Sequence, residues 1–351
     1  MKRCFALIGI LAIMCLWGCD GTEKSVPNQP PQEEKPAVVG ITFPEETGRF
    51  AEEGTYLKTQ LEKLGHQVIL NYAGQDAKTQ HDQLNQMLSD GASCLVITAV
   101  DPVALADVLQ QAEKIGVAVI SYDRRLPNCP GIDLHIGFDS YQAGQAIAKH
   151  VETQMNLATA QEEQRSHTVE FFMGAPEDDN AYLRYQGIMS VLQPYLNSGV
   201  LRCLSGRTGF EDTCTTQWSD EAARDDCRRY LDKHYEKQPL EICVAASDTL
   251  ASGCAQALNI ARVKKLPLLT GQEINLESAR RIASGQQAIS AVYDYDPVVK
   301  MCVEAVNAFL TGKQPQTNAE GAYLFMPEMV TGENYEKLLI ESGMFTKEQL
   351  S

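Results

Sequence analysis

The sequence predicts an α/β protein made of two doubly wound lobes, each built on a parallel sheet. Short apolar, β-branched runs alternate with longer helical stretches, as in consecutive βαβ units. The first helical stretches end at Gly65, Gly91 and Gly116, and glycine is the usual left-handed stop of a helix. A polar stretch at residues 157–167 is interpreted as a surface connection, after which the alternation starts again. A chain of 351 residues is long enough for two separate cores.

The first lobe is predicted to contain five strands, of which the fourth is the clearest. Val117 to Ile120 is an unbroken apolar run, typical of a parallel strand that is covered on both faces. Its carboxyl end delivers Asp123 and Arg124 together, at the edge where open α/β sheets bind ligands. The predicted elements are strands 38–43, 67–72, 94–99, one from 117 and 134–138, with helices 49–64, 77–89, 103–115 and one after Asp139.

The second lobe repeats this alternation with shorter strands. The predicted elements are strands 169–173, 201–204, 242–246, 268–270 and 288–293, and helices 179–196, 220–235, 248–261 and 277–283. A final helix at about 297–310 and a strand-like segment at 323–326 follow. We expect the carboxyl strand ends of the two lobes to face each other across one cleft, since ligand sites favour such interfaces.

The N-terminal sequence predicts that the protein is exported from the cytoplasm. Two basic residues precede an apolar core at residues 5–17, which is too short to span a bilayer comfortably. Gly18 and Cys19 follow, and a small residue before a cysteine resembles a bacterial lipoprotein signal (residues 1–18), in which Cys19 takes a lipid. The alternative is an ordinary secretory signal cut nearby. Residues 19–36 are polar and Pro-rich and are predicted to be a flexible tether, so the lipid would be the only link to a membrane.

Charge and motifs argue against several classes of function. A net charge of −16 argues against a nucleic-acid partner, because phosphate backbones require Lys and Arg. No hydrolase, phosphate-loop, dinucleotide or zinc motif is found, so neither a cofactor nor a metal is expected. Eight of the eleven cysteines lie beyond Cys19, and export permits disulfides, but the sequence leaves the pairing open. Cys94, Cys243 and Cys302 lie in apolar runs and are equally compatible with small core residues.

Polar and aromatic side chains follow the predicted strands of both lobes. Carboxylates, amides and guanidinium groups suit a neutral polyol, whose hydroxyls both donate and accept, while aromatic rings cover the apolar face of a sugar. Polar residues after strands are also common because loops are exposed to solvent, so the prediction depends on the whole set of residues and not on any one of them. The candidate ligand-binding residues are Arg49, Phe50, Asp123, Arg124, Asp178, Asn180, Trp218, Ser247, Asp248, Glu273 and Asp294.

In these same stretches the chain resembles the bacterial periplasmic monosaccharide-binding proteins of ABC transporters, in particular the xylose-binding and multiple-sugar-binding branch. The similarity covers about residues 38–350 and depends on short motifs. These are Val39-Gly40-Ile41 with Arg49-Phe50, Tyr122-Asp123-Arg124, Phe138-Asp139, Gly174-Ala175-Pro176-Glu177-Asp178-Asp179-Asn180-Ala181, Gly271-Gln272-Glu273 and Glu333-Asn334-Tyr335. Three residues depart from the family's usual pattern: Ser247 replaces Asn, Glu273 replaces Asp, and Asp294 stands where Lys is frequent.

The resemblance implies a type I periplasmic binding fold, whose three-segment hinge would lie near residues 138–140, 294–297 and 326–330. The implied lobes are residues 38–138 plus 296–326, and residues 139–295 plus 327–351. It also implies that Trp218, with Phe50, stacks on a pyranose ring. The residues that would hydrogen-bond that ring are Arg49, Asp123, Arg124, Asp178 and Asn180.

Capture without catalysis is the function this resemblance favours. A pentose or hexose such as xylose, glucose, galactose or arabinose would be enclosed by hinge closure in the periplasm or at the cell surface. The closed form would then be read by an ABC permease, or by a sensor kinase or chemoreceptor. A sensory lipoprotein without a transport role is the alternative. A secreted glycosidase using Asp178 and Asp248 lacks supporting motifs, and a sugar-responsive repressor would need DNA-binding helices where this chain has a signal and a tether.

Overall fold

The computed structural model of the protein describes residues 36–315, 317–318 and 321–351. The predicted signal peptide, the lipidation site Cys19 and the predicted tether up to residue 35 lie outside these residues. Within the described part, no helix combines the length and the apolar character that a bilayer span requires.

The described chain alternates strands and helices along most of its length. The strands are β1 (Val38–Phe43), β2 (Gln67–Tyr72), β3 (Ala92–Ile97), β4 (Ala118–Tyr122), β5 (Leu134–Phe138), β6 (His167–Phe172), β7 (Leu201–Arg202), β8 (Ile242–Ala245), β9 (Leu268–Leu269), β10 (Ile289–Val292), β11 (Ala322–Phe325) and β12 (Glu328–Thr331). The α-helices are α1 (Gly48–Lys63), α2 (Ala77–Ser89), α3 (Ala106–Lys114), α4 (Ser140–Gln154), α5 (Leu157–Glu162), α6 (Asp179–Ser198), α7 (Phe210–Thr213), α8 (Asp220–His234), α9 (Asp248–Ile260), α10 (Leu276–Ala283), α11 (Tyr295–Leu310) and α12 (Lys347–Leu350). Short 3₁₀ turns cover Val103–Leu105 and Thr216–Trp218, and Glu336–Glu341 is a π-helix.

Two parallel sheets organise these elements, which confirms the predicted fold class. The first lobe is built on six strands in the order β2-β1-β3-β4-β5-β11, and the second on four in the order β7-β6-β8-β9. Successive residues of β4 point to opposite faces: Val119 packs in one apolar cluster, and Ile120 and Tyr122 pack in another. Both faces of the first sheet are therefore buried under helices, as the unbroken apolar run predicted.

The chain passes between the lobes three times, next to an aromatic cluster. The passages follow β5, β10 and β11, whose next elements belong to the other lobe. At the first two passages Phe138 meets Tyr293 edge-on, with ring centroids 4.4 Å apart, and Tyr295 at 5.3 Å. Phe325, at the third passage, lies 6.2 Å from Phe138. The three segments are therefore packed against one another rather than separate.

Some local predictions were wrong. Residues 157–167 are not a plain surface connection, because Leu157–Glu162 is a helix and Leu157 and Ala160 are fully buried in the second core. The sequence prediction also missed β12, which pairs antiparallel with β10 and forms a separate two-stranded sheet. The strands predicted at 201–204 and 268–270 are only two residues long.

All eight cysteines of the described residues are free thiols. Cys94, Cys243 and Cys302 are buried in apolar cores, which fits the interpretation of these three as small core residues.

Candidate functional site

A cavity of about 190 Å³ lies between the lobes, where the carboxyl ends of both sheets meet. Nine of the eleven predicted ligand-binding residues line it: Arg49, Phe50, Asp123, Arg124, Asp178, Asn180, Trp218, Ser247 and Glu273. The first lobe contributes the first four and the second lobe the other five. Its remaining lining residues are Glu45, Gln75, Phe138, Ser140, Arg184, Gln217, Thr249, Tyr293 and Tyr295.

Arg49, on α1, is held on all sides by the first lobe and the hinge. Its guanidinium carbon lies 4.1 Å from the ring centroid of Phe50 and 4.6 Å from that of Tyr295. Nη2 donates to Asp123 Oδ2 at 2.8 Å, and Nη1 donates to Glu53 Oε1 at 3.3 Å. Burial raises the pKa of Glu53, although Arg49 opposes this shift. The arginine is therefore preorganised, with one edge paired and its faces covered.

In the second lobe, the N-terminus of α6 supplies the counterpart of the Arg49 network. Asp178 caps this helix by accepting from the Asn180 backbone N–H at 3.0 Å, and it also accepts from Trp218 Nε1 at 3.3 Å. Its carboxylate lies 3.5 Å from Nε of Arg124, which belongs to the other lobe. Asn180 Nδ2 donates to the backbone carbonyl of Asp123 at 2.9 Å. The residues expected to bind a ligand therefore also form direct contacts between the two lobes.

Asp123 and Glu273 occupy equivalent positions in the two lobes. Asp123 follows β4, and its N–H donates to Ile136 of the neighbouring β5; Glu273 lies just beyond β9, and its N–H donates to Ala291 of β10. Both have the left-handed backbone that non-glycine residues rarely adopt, with φ of +63° and +86°. Such strain costs about 1–3 kcal/mol and occurs preferentially at ligand sites, so it fits a role for both carboxylates.

Trp218 approaches the backbone so closely that only glycine fits beneath it. A Cβ added at Gly174 would lie 2.1 Å from the indole ring. The ring is half-buried, and the guanidinium carbon of Arg184 lies 5.5 Å from its centroid. Trp218 therefore presents a fixed aromatic surface to the cavity, whereas Phe50 is 5 % exposed and largely covered by Arg49.

Asp248 and Asp294 do not line the cavity, contrary to the expectation from the sequence. Asp248 points into the core of the second lobe, where its carboxylate accepts from Gln287 Nε2 at 2.6 Å and from Ser290 Oγ at 2.7 Å. Asp294 is exposed at the hinge and caps α11 by accepting from the Asp296 N–H at 3.1 Å. Neither carboxylate is directed at the ligand space, because each is used by its own local structure.

Burial raises the pKa of Asp248 to about 6, with partial compensation from its hydrogen bonds to Ser278, Ser290 and Gln287. For an acid whose pKa is higher in the folded than in the unfolded chain, the free energy of unfolding falls as the pH rises from the lower to the higher pKa, here from about 4 to about 6. We therefore expect Asp248→Asn to raise the free energy of unfolding at pH 7.5 by up to about 3 kcal/mol, and by little at pH 4. Chemical denaturation at the two pH values measures this, and Asp294→Asn is the exposed control. Equal effects of Asp248→Asn at both pH values would contradict the assignment.

Sequence reasoning missed three of the residues with large side chains around the cavity. Arg184 lies one turn after Asn180 on α6, so the i, i+4 spacing of a helix was a usable signal. It is 3 % exposed, its Nη1 donates to the Ala246 carbonyl at 2.7 Å, and its Nε has no partner among the described groups. Tyr293 and Tyr295 line the cavity from either side of Asp294, the residue that the strand-end rule selected in their place.

The chain's relatives are consistent with this architecture. Residues 39–314 match the family described as periplasmic binding protein domain. The chain belongs to the periplasmic binding protein family. The multiple sugar-binding periplasmic receptor ChvE of Rhizobium radiobacter is 32% identical over 328 residues, which are 89% of this chain and 92% of that protein. The D-xylose-binding periplasmic protein of Escherichia coli is 26% identical over 314 residues, covering 86% and 88% of the two chains. The predicted resemblance to this branch is confirmed.

A solved structure extends the likeness to three dimensions. An ABC transporter solute binding protein from Clostridium phytofermentans with bound β-D-glucose has 31% sequence identity and a TM-score of 0.83, and the match covers 90% of this chain and all of that one. This periplasmic binding protein thus shares its two-lobed fold with a glucose-bound relative. The family is one of binding proteins rather than of enzymes.

Proposed function

We propose that the protein binds one monosaccharide, a pentose or hexose, in the cavity between its lobes and delivers it to an ABC permease. The observation that carries the proposal is the cavity itself: it is small, and hydrogen-bonding groups from both lobes line it. A cavity of about 150 Å³ holds a benzene ring. The present cavity of about 190 Å³ therefore suits one six-membered ring rather than a disaccharide.

The charges lining the cavity support a ligand without net negative charge. Three arginines, Arg49, Arg124 and Arg184, stand against four carboxylates, those of Glu45, Asp123, Asp178 and Glu273. Ionised groups form stronger hydrogen bonds than neutral ones, and hydroxyls satisfy both signs because they donate and accept. The half-buried indole of Trp218 offers the apolar surface that covers the C–H face of a sugar ring.

Closure of the two lobes would couple sugar binding to recognition of the protein by the permease. Since the lining residues come from both lobes, a ligand gains all of its contacts only when the lobes are closed. Rotation at the three hinge segments would open the cleft, and a permease would read the closed surface. The glucose-bound relative is an ABC transporter solute binding protein, and ChvE is a receptor, so a sensory role remains the second candidate.

Titration calorimetry with a panel of xylose, arabinose, glucose, galactose and maltose tests the proposal. We expect at least one of the four monosaccharides to bind with one-to-one stoichiometry, and maltose to bind at least about 100-fold more weakly than the best monosaccharide. A thermal shift should accompany the binding, because a ligand that binds only the folded state stabilises it by mass action. Preference for maltose, or no response to any of the sugars, would contradict the proposal.

The location of the protein is part of the proposal. We infer that residues 1–18 direct export, that Cys19 receives a lipid, and that the chain to residue 36 tethers the lobes to a membrane. The family and the periplasmic relatives support an extracytoplasmic site. Metabolic labelling with a fatty acid tests the anchor, and Cys19→Ala should abolish the label.

A further inference from the structure

Glu53, on α1, is a buried charged residue that lies behind the cavity lining. It is 5 % exposed and stands outside the set of residues that face the cavity. Each of its carboxylate oxygens accepts one hydrogen bond: Oε1 accepts from Arg49 Nη1 at 3.3 Å, and Oε2 accepts from the Tyr122 hydroxyl at 2.7 Å. Glu53 therefore connects a cavity residue to the core of the first lobe.

The end of β4 fixes both carboxylates that flank Arg49. Tyr122 is the last residue of β4, is fully buried, and stacks on Phe43 with ring centroids 5.4 Å apart. The next residue, Asp123, lines the cavity and accepts from Arg49 Nη2 at 2.8 Å. Tyr122 thus holds Glu53 through its hydroxyl, while Asp123 contacts Arg49 directly. One strand end therefore positions the guanidinium group by two routes.

These contacts restrain the guanidinium group in every direction. The rings of Phe50 and Tyr295 lie against it, with centroids 4.1 Å and 4.6 Å from its central carbon, so they oppose tilting. Rotation within the guanidinium plane is opposed by the two carboxylates, Glu53 at Nη1 and Asp123 at Nη2. Without Glu53, the Nη1 end would lose its restraint against this rotation.

The gain in folding stability does not explain a carboxylate at this position. Burial raises the pKa of Glu53, and the charge of Asp123 adds to the shift, although Arg49 and Tyr122 oppose it. For an acid whose pKa is raised by folding, the free energy of unfolding is lower above that pKa than below it. The ionised form of Glu53 therefore reduces stability at neutral pH, which favours a role in binding.

We propose that Glu53 is a positioning residue for the ligand: together with Tyr122, it holds Arg49 in the orientation in which Arg49 donates to a bound monosaccharide. This inference rests on the proposed function and adds two residues from outside the cavity to the binding machinery. Preorganisation of a binding residue by the groups behind it raises affinity, because less freedom is lost when the ligand binds.

Titration calorimetry with the best-bound sugar among xylose, arabinose, glucose and galactose tests this inference. At pH 7.5 we expect Glu53→Gln to weaken binding at least about 10-fold, as for the loss of a hydrogen bond to a charged group. The melting temperature of the sugar-free variant should not fall, because glutamine has the same shape without the buried charge. Tyr122→Phe keeps the ring beside Phe43 and should weaken binding at least about 3-fold.

Glu52→Gln is the matched control. Glu52 precedes Glu53 on α1 and is exposed, so this substitution removes the same charge from the same helix without changing a contact of Arg49. It should change sugar affinity by less than about 2-fold, because exposed charges are screened by water.

A pH series separates positioning from a packing defect. The titratable and charged groups that face Glu53 are Arg49 on α1, Tyr122 and Asp123 at the end of β4, and Tyr295 and Cys302 on α11. These groups are present in both the wild type and Glu53→Gln, so the ratio of the two affinities reports on Glu53. Because the Glu53 carboxylate becomes neutral at low pH, this ratio should fall at least about 2-fold between pH 7.5 and pH 4.5.

Four outcomes would overturn the inference and leave the proposed function standing. They are a Glu53→Gln affinity within about 2-fold of the wild type at pH 7.5, an affinity ratio that does not change with pH, an equal effect of Glu52→Gln, and a clear fall in the melting temperature of Glu53→Gln. The absence of binding of any neutral sugar by the wild type would overturn both proposals.

Discussion

Asp123→Ala is expected to weaken monosaccharide binding at least about 100-fold. The substitution removes a carboxylate that faces the cavity, and it also leaves Arg49 without its 2.8 Å partner. A hydrogen bond that involves a charged group contributes about 1.5–3 kcal/mol, and two such bonds correspond to a factor of about 100 or more in affinity. Calorimetric titration with the best-bound sugar measures the loss.

Asp123→Asn separates the effect of the carboxylate charge on binding from the effect of the backbone conformation. Asparagine tolerates the left-handed φ of +63° and keeps one acceptor oxygen, but it loses the ionic attraction to Arg49. We expect its affinity to lie between those of the wild type and Asp123→Ala. The control is Asp133→Asn, because Asp133 is in the same lobe, accepts from the Val119 N–H and lies away from the cavity. Unchanged sugar affinity in Asp123→Ala would remove this residue from the site.

Much of the site could be predicted because strand ends are visible in a sequence. An apolar run followed at once by polar residues marks the carboxyl edge of a parallel sheet, and that rule found Asp123, Arg124 and Ser247. It does not say which of two adjacent residues faces the ligand. Ser247 lines the cavity, whereas the next residue, Asp248, turns into the core toward Gln287. Which of these two residues faces the cavity depends on where α9 begins. The start of α9 depends in turn on buried polar partners that lie far along the chain.

The hinge was harder to predict in detail. Tyr295 reaches the cavity only because three distant segments pack together, so that it lies over Arg49 and beside Phe138. No local pattern marks such a residue, since its position follows from the passage of the chain between lobes. The antiparallel strand Glu328–Thr331 escaped prediction for the same reason, because its only partner among the described strands is β10, about 40 residues earlier.

Gly144→Ala is expected to destabilise the second lobe and to weaken sugar binding together. A Cβ at this position would lie 2.2 Å from the carbonyl oxygen of Arg184, and a Cβ at Gly187 would lie 2.0 Å from that of Tyr141. Helices α4 and α6 thus pack backbone to backbone, and an added methyl group must push them apart. The gain in helix propensity from Gly to Ala is about 1 kcal/mol, whereas overpacking typically costs about 1–3 kcal/mol, and we expect the upper end here because the added methyl group meets backbone atoms.

The net loss should therefore be about 2 kcal/mol, or a fall in melting temperature of roughly 4–8 °C. Because α6 carries Asn180 and Arg184 and is capped by Asp178, its displacement should also lower sugar affinity, which a purely local defect would not do. Gly332→Ala is the control, since its Cβ would meet nothing closer than 3.9 Å. Circular dichroism melts and calorimetry on the same samples measure both effects. If Gly144→Ala loses stability but keeps full affinity, the α4–α6 contact does not position the binding residues.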